Sequence, residues 1–160
     1  NNFMKYLITS KEVDQDILSK LPIDISHKSL DDYNLFTDEQ NNVVQRESFV
    51  GITDGYIRNL NLNISSIEKH TADCIENIVQ KWPLPENITG SFTCLIINKA
   101  NGELILCNDL IGLYPVYYCK SGDNITISNS IILMALFSGQ DLDDVGILQR
   151  SKRGRDLFNR

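Results

Sequence analysis

The sequence predicts an α+β fold, with helices segregated from antiparallel strands. Two observations carry that expectation. Residues 90–128 read as short strands separated by turn signals, with no helix between them. On either side the apolar spacing changes to the three- and four-residue period of a helix, from Ser65 to Trp82 and again from Ser128 to Ser138. A chain of 160 residues holds one proper core. Its 42% apolar and 22% charged residues are ordinary for a globular chain.

The elements follow in order. "MKYLITS", residues 4–10, is a first strand, and "KEVDQDILSKL" is a short helix-like stretch. Residues 24–45 are polar and weakly patterned, and no order is assigned to them. "VVQRESFVGIT", residues 43–53, has strand character and ends at the turn signal Asp54-Gly55. "YIRNLNLNI" alternates apolar and polar residues and begins another strand. Ile67, Cys74, Ile75, Ile78, Val79 and Trp82 then mark one face of an amphipathic helix. Ser65 and Glu68 have the spacing of a capping box, and Pro83 and Pro85 stop the helix.

Strands are expected at 91–98, 103–108, 114–119 and 124–128. Asn101-Gly102 predicts a hairpin turn of the primed type, because both residues tolerate positive φ. Ser121-Gly122-Asp123 marks the next turn. "SNSIILMALFSG" is a helix capped by Ser128 or Ser130 and ended near Gly139. "DLDDVGILQR" is expected to begin a last helix, with Asp141 or Asp143 as its cap.

Composition excludes several function classes. The formal net charge of −6 argues against a polyanion-binding surface. Arg150, Lys152, Arg153, Arg155 and Arg160 form a basic tail without interleaved aromatics, so it reads as a solvated linker and no nucleic acid is expected as a partner. No apolar run approaches a membrane span and no signal peptide is recognisable, so no membrane partner is expected. Without a secretion signal, the Asn-x-Ser/Thr triplets at Asn63, Asn87 and Asn124 read as chance. Cys74, Cys94, Cys107 and Cys119 lie 20, 13 and 12 residues apart with no Cys-x-x-Cys pair, and His27 and His70 are not at metal-ligand spacing. No metal site is expected, and buried thiols in a reducing cytoplasmic compartment are the better reading. "NNFMKY" suggests Met4 as the native start, and the basic end suggests a cut within a longer protein.

"GSFTCLIIN", "LILCNDLIGLYPVYY" and "ITISNSIILMAL" together resemble the glutaminase domain of the asparagine synthetase family, a class II glutamine amidotransferase. Gly90, Phe92, Asp109, Gly112, Pro115, Tyr117 and Tyr118 fall, in order and spacing, on the family's Gly-x-Phe and Arg-Asp-x-x-Gly-x-x-Pro-Leu-Tyr-Tyr patterns. "DGYIRN" is similar to the family's Asn-Gly-Glu-Ile-Tyr-Asn, and "ADCIENIVQKW" to its Ser-Asp-x-Glu helix. The resemblance spans residues 50–150, is strongest over 90–137, and is absent from the first 45. It implies an αββα sandwich of the N-terminal-nucleophile type over residues 4–140. Residues 141–160 would lead into a downstream synthetase domain.

Most of the matched positions read as structural. Gly112 serves a turn, Pro115 a strand start or edge, and Tyr117 and Tyr118 opposite faces of one strand. In the family an N-terminal Cys attacks the glutamine amide, with its own α-amine as general base. Here Lys5 and Tyr6 follow Met4, and processing at Thr9 or Ser10 would delete the first strand. Asp54-Gly55 aligns with the family's oxyanion Asn-Gly. An ionised Asp54 offers only acceptors and opposes a developing oxyanion. The arginine that holds the substrate carboxylate has no counterpart before residue 50. Lys28 is the nearest candidate and lacks the bidentate fork.

Asp73 matches the aspartate that holds the substrate amine. Family spacing starts a helix near Asp73 and periodicity starts it at Ser65; both stay open at this point. Asn108 replaces the arginine of Arg-Asp, and Ser130 stands where the family has Glu. The resemblance thus implies a degenerate glutaminase-like domain, kept as a structural or docking module of an asparagine synthetase-like, ATP-dependent, amide-forming ligase. No cofactor is expected within it, ATP and Mg being expected in the downstream domain. The expected partner is that synthetase domain, with a homodimer or a peptide or protein partner as further options. Two other readings stand beside this one. The domain could be an active amidotransferase supplying ammonia through Cys74 or Cys94, or a binding module using strand edges and the vacated cleft.

Overall fold

The computed structural model describes residues 4–39, 43–81, 86–108, 116–138, 145–148 and 154–158. In chain order the described elements are β1 (Tyr6–Thr9), α1 (Gln15–Ser19), β2 (Ser26–Leu30), β3 (Tyr33–Thr37), β4 (Val43–Gln45), β5 (Phe49–Asn59) and α2 (Ile67–Gln80). There follow β6 (Ile88–Asn98), β7 (Leu104–Asn108), β8 (Val116–Ser121), β9 (Asn124–Ser128), α3 (Ile131–Ser138), β10 (Gly146–Leu148) and β11 (Gly154–Phe158). They form two compact units, one from Asn1–Gln40 and Tyr114–Gln149, the other from Asn41–Leu113 and Arg150–Asn159. Each is an antiparallel sheet with helix packed on it, the α+β arrangement that the sequence predicts.

The first unit holds a six-stranded sheet in the order β10-β8-β9-β1-β3-β2. β1 lies inside it, between β9 and β3, and all four of its residues are buried, which explains its unbroken apolar run. β8 and β9 join through Gly122-Asp123, with Gly122 at φ 60, the Gly-first order of a II′ hairpin. Leu7 and Phe36 meet Leu133 and Phe137 of α3 in a core that Ile17 and Leu18 of α1 extend. Ser130 caps α3, its Oγ accepting from Leu133 N at 3.3 Å. Ser128 Oγ instead accepts from Ser130 N at 2.9 Å and donates to the Tyr6 carbonyl at 2.6 Å.

The second unit holds a five-stranded sheet in the order β11-β7-β6-β5-β4. β5 and β6 are eleven residues each and pair along their whole length. Cys74, Ile75 and Ile78 of α2 pack on Phe49, Ile57, Phe92 and Cys94 of these strands. At about 1.5–3 kcal/mol per buried large apolar side chain, this contact is what holds the helix to the sheet. Gly51 makes the approach possible, since a Cβ there would lie 2.7 Å from Ile75 Cδ1.

The structure corrects several expectations. Asp54-Gly55 is no turn: β5 runs through it to Asn59, so "YIRN" continues the same strand, while "VVQRESFVGIT" divides into β4 and the start of β5. The N-cap of α2 is Ser66, not Ser65, with its Oγ accepting from Lys69 N at 3.3 Å. Ile67 is 71% exposed and leaves the apolar face, which His70 and Ala72 join. The helix passes through Asp73, so periodicity prevails over family spacing.

Asn101-Gly102 lies in a longer loop between Asn98 and Leu104, and only Gly102 takes positive φ, at 72°. Asn98 and Asn101 act there through their side chains, accepting from Ala100 N at 3.0 Å and Glu103 N at 2.9 Å. The helix expected from "DLDDVGILQR" is contradicted, for Gly146–Leu148 is strand β10, paired with β8. The basic end contributes β11, paired with β7. The unordered stretch 24–45 holds β2, β3 and β4. Asp109, Gly112, Pro115, Trp82, Pro83, Pro85, Gly139, Asp141 and Asp143 lie outside the described residues.

Candidate functional site

The resemblance places a nucleophile at the head of the first strand. There the backbone N–H of Lys5 donates to Asp38 Oδ1 at 2.8 Å, and Asp38 N returns a bond to the Lys5 carbonyl at 3.2 Å. The next amide, Tyr6 N, donates to Asn129 Oδ1 at 2.9 Å, while Asn129 Nδ2 donates to the Met4 carbonyl at 2.6 Å. Among the described residues, the head of β1 is therefore a hydrogen-bonded strand end in which Met4 and Lys5 carry neither a thiol nor a hydroxyl. Cleavage before Thr9 or Ser10 would remove β1 from between β9 and β3. Lys28 sits on the exposed edge strand β2.

Gly55 and Gly90 have a cross-strand reason. They flank the facing pair Tyr56 and Ser91 in the β5–β6 ladder, with φ of 94° and 126°. A Cβ on Gly55 would run into the Ser91 carbonyl oxygen, and one on Gly90 into the Tyr56 carbonyl oxygen. Both positions are thus restricted to glycine by φ and by space. A depression of about 90 Å³ adjoins Gly55, between Thr53 and Tyr56 of β5 and Ile67, Glu68 and Thr71 of α2. Its wall carries a carboxylate, Glu68, which opposes a negative charge placed there. Phe92, opposite Gly55, is buried in the core under α2. Tyr117 and Tyr118 are successive residues of β8, and the Tyr118 ring lies against Gly146 of β10, so that a larger residue there would require the ring to shift.

The structure does not bring Asp54 and Asp73 together. Phe92 and Cys94 face α2, so Thr93 between them and its partner Asp54 point to the other face of the sheet. Asp54 is buried there, at 7% exposure. Asp73 stands on α2, and its two oxygens are taken by protein cations: Arg46 Nη2 at 2.8 Å and Lys69 Nζ at 3.1 Å. Arg46 also pairs with Glu76 at 2.8 Å. The Arg46 hydrogen bond, assisted by Lys69, holds the Asp73 carboxyl below its usual range against the opposing effect of burial. Arg46 was missed by sequence reasoning. The Lys69–Asp73 spacing of four residues was legible, whereas Arg46 is 27 residues away and joins only through the fold.

Three of the cysteines share one core. Cys94 of β6 faces Cys107 of β7 across the ladder, and Cys74 of α2 packs in the same cluster. Burial, with Asp73 adding to it, pushes the Cys74 thiol up to about 11. Burial pushes Cys94 up further, with Cys107 contributing, although Thr53 Oγ1 lies 3.3 Å from its sulfur. Such thiols are poor nucleophiles. His70, one turn before Cys74, is buried, and its Nε2 accepts from Asn59 N at 3.0 Å. Burial and then Arg58 hold its pKa below the ordinary histidine value, with Asp73 opposing. Asn59 in turn uses its Oδ1 to accept from Asn61 N at 3.0 Å and Asn87 Nδ2 at 2.7 Å, which ties the end of β5 to the start of α2 and β6.

Among the described residues no group of His, Cys, Asp and Glu is placed to hold a metal ion, and no described helix is long and apolar enough to cross a membrane.

No protein-family model matches the chain, and no curated protein matches it in sequence. It is similar to solved structures that include two larger proteins. One is described as the allosteric regulatory enzyme of purine biosynthesis, with 12% identity and a TM-score of 0.43. The other is glutamine phosphoribosylpyrophosphate amidotransferase from B. subtilis complexed with ADP and GMP, with 13% identity and a TM-score of 0.38. Each match covers 79% of this chain and 35% of the other, so the chain spans about a third of the length of those proteins. The α+β assignment rests on the chain's own sheets and helices.

Proposed function

We propose that this chain is a glutamine amidotransferase-like domain that has lost the cleavage reaction. It serves as a structural or docking module of an asparagine synthetase-like, ATP-dependent, amide-forming ligase. What supports the reading is the head of β1, where Lys5 follows Met4 and its amide is bound to Asp38 as a strand amide. An N-terminal nucleophile needs both an attacking side chain and a free α-amine to accept its proton, and Lys5 offers neither arrangement. The two carboxylates support the same reading. Residues that hold one substrate must converge on it, whereas Asp54 and Asp73 stand on opposite sides of the second sheet, and Asp73 is neutralised by Arg46 and Lys69. Burial of Cys74 and Cys94 weighs against a substitute thiol nucleophile.

In this reading ATP and Mg belong to a synthetase domain that this module contacts. Ammonia for the amide, or an amine in its place, comes from a source other than glutamine cleavage by this chain. The test is incubation with glutamine, with and without 6-diazo-5-oxo-norleucine, a glutamine-mimicking affinity label. The expected result is no glutamate release and no labelled cysteine. Turnover accompanied by labelling of one cysteine would overturn the proposal.

A further inference from the structure

We propose that His70 is an acid-sensitive latch on the loop that joins β5 to α2. Protonation of its ring releases residues 59–66 while the helix and strands on either side stay folded. The latch is one hydrogen bond between two buried groups. His70 stands in the first turn of α2, where its N–H donates to the Ser66 carbonyl at 2.9 Å. Its Nε2 accepts from the backbone N–H of Asn59, the last residue of β5, at 3.0 Å. The bond therefore closes the two ends of the loop on each other. A backbone amide only donates, so Nε2 holds a free lone pair and the neutral ring carries its proton on Nδ1. A proton on Nε2 sets donor against donor. His70 and Asn59 are both buried, at 5% and 4% exposure, so the amide finds water only if the chain moves.

The surroundings give an added charge little relief. Arg58 acts on His70 from β5 and opposes protonation. Asp73, one turn along α2, favours it, but its two oxygens are already engaged by Arg46 and Lys69. Cys74 stays a neutral thiol, and Glu68 and Lys69 are exposed. Asn87, at the start of β6, is an uncharged amide whose Nδ2 donates to Asn59 Oδ1 at 2.7 Å. Burial and Arg58 thus hold the ring neutral while the latch is closed.

Release is local because the loop buries little. Leu60, Leu62 and Ile64 are exposed. Its other ties are Leu60 N to the Asn87 carbonyl at 2.8 Å, Leu62 N to the Asn59 carbonyl at 3.2 Å and Asn61 N to Asn59 Oδ1 at 3.0 Å. Most of these bonds run through Asn59 and depend on where His70 holds it. A segment held in this way opens at a fraction of the cost of global unfolding. The body of α2 is secured separately, by Cys74, Ile75 and Ile78 in the core. The loop leads into Ile67 and Glu68, which line the depression beside Gly55, so acid loosens the rim of that depression.

Hydrogen–deuterium exchange of the full chain, read by mass spectrometry from about pH 7.5 to about pH 5 and corrected for the intrinsic pH dependence of exchange, tests the latch. Protection of residues 59–62 should fall by about tenfold per pH unit below about pH 6.5. It should reach the rate of an unstructured chain while residues 92–97 of β6 are still protected. His70→Gln offers a side-chain carbonyl that accepts from Asn59 N and does not titrate, so its loop should stay protected across the range. Proton–nitrogen correlation NMR of the parent ring at neutral pH should place the proton on Nδ1, a readout that does not depend on how the variant folds. Loss of loop and core protection together, loop protection that does not change with pH, parent-like pH dependence in His70→Gln, or a neutral ring protonated on Nε2 would each overturn the proposal.

Discussion

The two helix–sheet contacts of this protein follow the same plan and end differently. Under α2 the sheet presents Phe49, Ile57, Phe92 and Cys94, the helix answers with Cys74, Ile75 and Ile78, and Gly51 lets Ile75 approach the sheet closely. Under α3 the sheet presents Leu7 and Phe36 toward one end and Thr9, Thr126 and Cys119 toward the other. The apolar end is filled by Leu133 and Phe137, and the polar end leaves a cavity. The difference lies in which side chains each strand turns toward its helix. Close packing of a helix on a sheet is helped by a small residue where the helix crosses, and Gly51 supplies one under α2.

The comparison can be broken at graded cost. Gly90→Ala should be the most damaging change, because it forces a residue with a Cβ to φ 126° and against the Tyr56 carbonyl. A loss of about 3 kcal/mol or more is expected in urea unfolding, and Gly55→Ala should behave alike. Ile75→Ala opens a cavity in the filled interface and should cost about 2–5 kcal/mol. Ile132→Ala, on the outward face of α3 at 71% exposure, should stay within about 0.5 kcal/mol. If the two isoleucine variants proved equal, the close packing of Ile75 against the sheet would be wrong.

His70 gives a smaller, pH-dependent effect. Its folded pKa is lowered, so the unfolded chain binds the extra proton first. Stability is then fully present above the ordinary histidine value of about 6.5 and declines as pH falls through that value toward the lowered folded pKa. His70→Leu should remove this histidine contribution to the slope and cost about 1–3 kcal/mol at neutral pH by leaving the Asn59 amide unpaired. Unfolding curves collected from pH 5 to 8 (roughly, the window in which histidine titrates) would show the same slope in parent and variant if burial did not hold His70 neutral. Arg46→Gln should have a mild effect, under about 1 kcal/mol and further reduced in high salt, since the ion pairs it makes are partly exposed. NMR titration of the Asp73 carboxyl in that variant should show its pKa moving back up.

Much of this architecture was readable from residue order. β1, α2, α3 and the β6–β7 and β8–β9 hairpins carry apolar periods or turn residues that act locally. β2 was illegible because it is an edge strand with most of its side chains in solvent, so no alternation marks it. Asp54-Gly55 misled because glycine serves two purposes, a turn or a close backbone approach, and only the partner strand tells which. The site was legible in residue types and not in arrangement. That Asp54 points away from α2 follows from the β5–β6 register, and the capture of Asp73 by Arg46 depends on a contact across 27 residues of chain.

The paired glycines have one more consequence. At Gly55 and Gly90 the backbone takes the handedness that mirror-image amino acids prefer, at two places related across a single facing pair of residues. The antiparallel pair of β5 and β6 is therefore achiral at those two points by requirement. Neither position has a natural substitute among the other residues that a ribosome supplies, so sequence drift at both should end at glycine while the strands around them remain open to change.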